Sequence, residues 1–306
     1  MNELFTSLGD ILRIFPVAWI AMIFVLGLLV GSFLNVVIHR VPIMLERDWK
    51  AQAEQIMHGE REPALSPTKP AERYNLVVPR SACPKCGTMI TALQNVPVVS
   101  YLFLGGKCAK CRAPISIRYP IVELITGILS ALVAWKFGVQ WYTAAALFFT
   151  WMLIAMSGID FDTTLLPDDM TLPLLWVGLI LSTVGTVATL GLPVDMRSSI
   201  IGAAAGYLSL WSVYQAFKLL TGKEGMGYGD FKLFGALGAW LGWQSLPLII
   251  LLSAFTGAVV GIILIVVRGR DRNIPIPFGP YLAAAGWIAL MWGDEIIATY
   301  LRVSGI

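Results

Sequence analysis

Gly225-Met226-Gly227-Tyr228-Gly229-Asp230 places three glycines and one carboxylate in six residues, and the 37 residues that follow, 231–267, are almost wholly apolar. Glycines so dense let the backbone turn tightly and let another chain lie close against it. A carboxylate delivered by such a loop to the edge of an apolar run marks a functional site in a membrane protein. The run itself is too long for one crossing: as a single helix it would extend about 55 Å, against a hydrocarbon core of about 30 Å. A break at Gly242-Trp243-Gln244-Ser245 makes it two passes, and the first is short enough to cross fully or to re-enter.

The rest of the chain has the same character. Its 306 residues are 57% hydrophobic and 13% charged, with a mean hydropathy of +0.74, whereas soluble domains carry about 25% charged residues. The expected fold is an all-α polytopic membrane protein of about eight transmembrane helices. They are placed at 15–38, 120–137, 140–159, 172–190, 199–220, 231–243, 245–267 and 279–300. The first run is too long for a signal-peptide core and no small-residue cleavage site follows it, so it reads as a retained span. Three parts result: a first transmembrane helix (1–38), a polar cytoplasmic insertion (39–119) and a seven-helix transmembrane core (120–306).

Charge placement orients the spans. With the N-terminus outside, the cytoplasmic segments 39–119, 160–171, 218–232 and 268–278 hold 12, 0, 3 and 3 Lys+Arg, or 18 of the 22 in the chain. The opposite orientation would put those eighteen outside, against the positive-inside rule. Small-xxx-small pairs at Gly27/Gly31, Gly202/Gly206, Gly238/Gly242 and Gly257/Gly261 suit close helix crossings.

Segment 160–171 has four carboxylates and no Lys or Arg, so it is not a topology anchor. Asp160 directly follows an apolar run, and in the eight-span arrangement it reaches the same face as Asp230, 70 residues later. Two carboxylates at one depth suit aspartic proteolysis, in which one takes a proton from water and the other donates one to the scissile carbonyl. Spacing alone leaves Asp160 and Asp162 both open for this role. Asp168 and Asp169 suit the start of the next helix, where acids are favoured.

The insertion contains Cys83-Pro-Lys-Cys86 and Cys108-Ala-Lys-Cys111. Two Cys-x-x-Cys turns supply the four soft ligands of a tetrahedral structural Zn²⁺, which would staple a segment poor in large apolar residues. Asn35 and Glu123 read as hydrogen-bonding or interfacial groups close to the membrane, and His39 and His58 as solvated loop residues.

Taken in order, these motifs resemble the type IV prepilin peptidases. The resemblance rests on Gly31-Ser-Phe-Leu-Asn-Val-Val-Ile-His-Arg40, the four cysteines, Arg118-Tyr-Pro-Ile-Val-Glu123, Ile159-Asp160 with Leu166-Pro167-Asp168, Thr221 to Asp230, and Pro275-Ile-Pro-Phe-Gly-Pro280. It implies a GxGD-type aspartic endopeptidase of the bacterial inner membrane. Asp160 and Asp230 would be its catalytic pair, facing the cytoplasm, with Gly227 and Gly229 in the loop that meets the substrate. The implied substrates are prepilins and type II secretion pseudopilins, whose basic leader is cut after a glycine. A basic leader would be drawn to the acids of segment 160–171. The family also N-methylates the new N-terminal residue with S-adenosylmethionine, although no Gly-x-Gly-x-x-Gly fingerprint marks a donor site here. The implied partners are these substrates and the lipid bilayer, with no nucleic acid. Two other classes fit the bare residues: a proton-coupled transporter using the two acids as a relay, and a non-catalytic zinc-stapled scaffold. A transporter more often shows internal repeats and helices broken at mid-membrane, and neither is visible here.

Overall fold

The computed structural model describes residues 10, 12–58, 73–188, 194–268 and 276–305. Residues 59–72 of the polar insertion, the tail of the span placed at 172–190, and Arg270, Arg272 and Pro275 of the last cytoplasmic segment lie outside the described residues. The chain runs through α1 (Pro16–His58), α2 (Val99–Phe103), α3 (Arg118–Phe137), α4 (Trp141–Thr163), α5 (Asp168–Ala188), α6 (Met196–Thr221), α7 (Tyr228–Leu241), α8 (Leu246–Arg268) and α9 (Gly279–Ser304). Among the described residues there are no strands, only two isolated bridges, Ala82 with Met89 and Lys107 with Pro114. Among the described residues, five helices are long and apolar enough to cross a membrane: Pro16–Met57, Arg118–Phe137, Trp141–Thr163, Trp243–Val267 and Gly279–Ser304. The protein is a multi-pass, all-α membrane protein.

The chain packs as two units, Ala21–Ala131 and Met1–Ile20 with Leu132–Ile306. In the first, α1 outruns the span expected at 15–38: it continues through Pro42 to His58, 43 residues in all. At 1.5 Å per residue that is about 64 Å, so the helix leaves the bilayer without ending. The reason lies in residues 44–58, which are good helix formers with no glycine among them, stitched by a Lys50–Glu46 ion pair of 2.6 Å. A loss of hydrophobicity is not a helix stop. Farther up, α1 crosses α3 at glycines: a Cβ on Gly31 would lie 2.7 Å from Glu123 Cα, and one on Gly27 2.9 Å from Gly127 Cα.

The second unit is built around α7. This helix has 14 residues, about 21 Å of rise, and ten of the 14 are buried. A helix apolar on every side has to be enclosed, and α5, α6 and α9 enclose it. Gly202 on α6 and Gly238 on α7 meet backbone to backbone, while a Cβ on Gly206 would lie 2.6 Å from the Phe234 carbonyl oxygen. Ser199 Oγ donates to the Ala239 carbonyl across the same seam, at 2.6 Å. On the other side Trp240 fills the notch at Gly178 and donates Nε1 to the Leu174 carbonyl of α5 at 2.7 Å. The break expected at 242–245 is present: Gly242 takes φ +77°, and one 3₁₀ turn, Trp243–Ser245, leads into α8.

Candidate active site and metal centre

Asp160 lies in the last turn of α4, which ends at Thr164 in the left-handed region (φ +52°), with the Thr164 N–H donating to the Asp160 carbonyl at 2.8 Å. Its side chain turns inward and is 4% exposed. Asp162 is about 200° further round the helix and is exposed. Asp230 is the third residue of α7 and 8% exposed. Asp160 is hydrogen-bonded to Gly279 and Asp230 follows Gly229, and both of these glycines pack against one residue, Leu166.

Each carboxylate sits at the positive end of a helix. Asp160 Oδ2 accepts the Gly279 N–H at 2.9 Å, and Gly279 is the first residue of α9. Asp230 lies in the first turn of α7, behind Gly227 as N-cap. Unpaired N–H groups and the helix dipole favour negative charge at both places. Gly279 is required there, because a Cβ would lie 2.7 Å from that same Asp160 oxygen.

Leu166, in the turn between α4 and α5 and 7% exposed, joins the two halves. A Cβ on Gly229 would lie 2.5 Å from Leu166 Cβ, and a Cβ on Gly279 3.1 Å from Leu166 Cδ1. One buried leucine thus spaces the helix start carrying Asp230 from the helix start holding Asp160. The sequence marks Leu166 only as part of the Leu166-Pro167-Asp168 motif, and its spacing role is a product of the tertiary fold.

The two loop glycines differ. Gly227 has an ordinary φ of −78°, and a Cβ there would meet only Asp230 Oδ2, at 3.7 Å. Gly229 has no room. Gly229→Ala is expected to destabilise the protein by about 2–3 kcal/mol, since the atoms it strikes belong to a buried residue and its backbone. Gly227→Ala should cost less than about 1 kcal/mol, the loss of a glycine N-cap. Thermal unfolding of both variants in detergent checks the contrast, and equal destabilisation would contradict it.

The loop before α7 is seated on the end of α6. Gly225 abuts the Phe217 ring, and Lys218 Nζ donates to Glu224 Oε1 at 2.8 Å, which holds the Glu224 carboxyl below the ordinary carboxylate range. Tyr228 packs on Tyr214 and Phe231. Asp168 and Asp169 stand in the first turn of α5, and Asp168 is bridged by Lys232 Nζ at 2.6 and 2.7 Å. The acidic segment is therefore partly neutralised by a lysine of α7, a pairing that sequence reasoning missed.

The four cysteines come together in the other unit, with their Sγ atoms all within 4.8 Å of one another. Cys83 and Cys111 are 3.8 Å apart and Cys86 and Cys108 4.0 Å. Tetrahedral Zn–S bonds of about 2.3 Å require S···S separations of about 3.8 Å, so the donor set fits. The two turns repeat one design. Gly87 N–H bonds the Cys83 carbonyl and Cys83 N–H the Thr88 carbonyl; Arg112 N–H bonds the Cys108 carbonyl and Cys108 N–H the Ala113 carbonyl. Gly87 and Arg112 both take positive φ, +67° and +58°. The buried Arg40 side chain donates to the carbonyls of Asn75 and Pro79, tying the segment that precedes the first turn to α1.

Two family models match the chain: the bacterial peptidase A24 N-terminal domain over residues 25–137 and the type IV leader peptidase family over residues 147–262. The cysteines fall in the first match, and Asp160 and Asp230 in the second. Similar relatives include the prepilin leader peptidase/N-methyltransferases of Pseudomonas aeruginosa (55% identical, covering 97% of this chain and 98% of the relative) and Aeromonas hydrophila (55%, covering 94% and 95%). That of Neisseria gonorrhoeae is 50% identical, covering 89% and 90%. No solved structure matches. Matched along nearly its whole length, the chain belongs to the type IV leader peptidase family.

Proposed function

We propose that this chain is a prepilin leader peptidase and N-methyltransferase that cuts with Asp160 and Asp230. The observation that carries the reading is the pair of buried carboxylates, each at the N-terminus of a different helix, with both helix starts packed on Leu166. One carboxylate takes a proton from a water held between them, and the resulting hydroxide attacks the scissile carbonyl carbon. The other, protonated, donates to the carbonyl oxygen. The tetrahedral intermediate then collapses: the carboxyl that took the water's proton gives it to the departing amine as the C–N bond breaks, and the other carboxylate takes its proton back from the intermediate's hydroxyl. Gly227 leaves the Asp230 carboxyl open to an extended peptide, and Gly229 lets α7 begin against Leu166.

The substrates are prepilins and, by the same chemistry, pseudopilins. Their scissile bond lies where an apolar helix meets the cytosol, the depth that eight spans and the positive-inside rule assign to this pair in the inner membrane. Nothing favours the transporter or scaffold readings. S-adenosylmethionine is the methyl donor that the relatives' name implies. Among the described residues there is no strand followed by a glycine fingerprint and a helix, so a donor site would be of another architecture.

Zinc is the proposed ion for Cys83, Cys86, Cys108 and Cys111, as a staple without a part in the reaction. Metal analysis of the purified chain should find one zinc, and Cys83→Ser with Cys86→Ser should lose it and expose segment 81–115 to protease. A metal-free, protease-resistant wild type would refute the staple. The activity itself is tested by incubating the purified chain with a prepilin and labelled S-adenosylmethionine. A shortened product bearing the label is expected, and an unshortened prepilin would overturn the proposal.

A further inference from the structure

We propose that α2 and the turn before it lie in the headgroup layer of the bilayer, where they bind anionic lipid. Position is the first argument. The Val98 N–H, at the start of α2, donates to Glu123 Oε2 at 2.7 Å, and Glu123 is the sixth residue of α3, a helix fit to span the membrane. It lies about 8 Å along that helix from Arg118. Asn35 of α1 donates to the Tyr119 carbonyl at the same end, at 3.1 Å. These bonds tie α2 to the level at which the chain enters the bilayer.

Surface chemistry is the second argument. Tyr101 faces inward, against Gly106. Val99, Leu102 and Phe103, spaced i, i+3 and i+4 on one face, are 47%, 71% and 87% exposed, and Leu93 just before them is 83% exposed. In water this is a costly cluster for a small polar segment, since each such side chain gains about 1.5–3 kcal/mol on burial.

Charge is the third. Residues 73–119 contain seven Lys and Arg and no Asp or Glu, and Lys107, Lys110 and Arg112 are exposed. Four thiolates around a divalent ion leave the segment net positive. An apolar face bordered by cations is what binds an anionic membrane surface, with each cation near that surface contributing about 1 kcal/mol. A peptide with a basic leader would be repelled by the same charge, which favours lipid over substrate as the occupant.

The test is hydrogen–deuterium exchange on the full chain in nanodiscs, comparing pure phosphatidylcholine with a mixture containing phosphatidylglycerol. Amides of residues 93–106 should exchange at least about 10-fold more slowly in the anionic bilayer, while those of 81–90 serve as a fold control. Leu102→Gln with Phe103→Gln changes only exposed side chains and should remove that protection without altering the control. Equal exchange in the two bilayers, or protection that the double variant keeps, would overturn the proposal. Protection that appears only when a prepilin is added would overturn it as well, and would give the surface to the substrate.

Discussion

Asp230→Asn is expected to abolish leader cleavage, lowering kcat by at least about 10³-fold, with folded protein recovered at the wild-type level. Asparagine keeps the shape of the side chain, and a first-turn Asn is tolerated at a helix start. What it loses is the ability to hold or release a proton. Asp160→Asn should behave alike, since an Asn oxygen can still accept the Gly279 N–H. Because the two groups act on one water, the double variant should be no slower than either single one. Asp162→Asn, on the exposed side of α4, should cleave within a few-fold of wild type. Leader-removal kinetics with one prepilin measure all four. Retained cleavage by either single variant would refute the pair, and a severe loss in Asp162→Asn would move the assignment along the helix.

Gly238→Val should prevent the protein from folding. A Cβ at Gly238 runs into the Gly202 carbonyl, and a Cβ at Gly202 runs into the Gly238 carbonyl. Both obstacles are backbone, so no side chain can swing aside and α6 and α7 must part. Overpacking a core commonly costs about 1–3 kcal/mol, and this site belongs at or above the top of that range. With ten of its 14 residues buried, α7 has little other surface to pack on. Gly257→Ala provides the contrast: its Cβ would come no closer than 3.4 Å to any atom, the nearest being Tyr281 Cδ2, and its yield and thermal stability should match wild type. The yield of monodisperse protein in detergent reads both, and a well-folded Gly238→Val would show that the crossing is looser than described.

These glycines show where pattern reading stops. Gly202/Gly206, Gly238/Gly242 and Gly257/Gly261 are one motif in the sequence, yet they do three different things. Gly202, Gly206 and Gly238 form a backbone contact, Gly242 ends a helix at φ +77°, and at Gly257 and Gly261 a Cβ would just reach ordinary van der Waals contact with a side chain. The motif states that a helix surface is small. It does not state which neighbour arrives. The end of α1 is different in kind: the polarity that bounds the expected span at residue 38 does not stop the helix, because hydrophobicity reports the surroundings of a helix and propensity decides its length.

The order of residues along the chain is enough to establish that it is helical and membrane-embedded, that the apolar run after Asp230 breaks near Gly242, and that four cysteines could form one metal site. Those follow from composition, from helix rise against membrane thickness, and from ligand spacing, all of them local or additive properties. The tertiary structure alone buries Asp160 against the start of α9 while Asp162 faces outward, and sets Leu166 between the two helix starts. Only it paired Lys232 with Asp168. A step of two residues turns a side chain about 200° around a helix. Which of two nearby acids is buried is therefore a matter of how the helices pack, and no spacing rule along the chain contains that information.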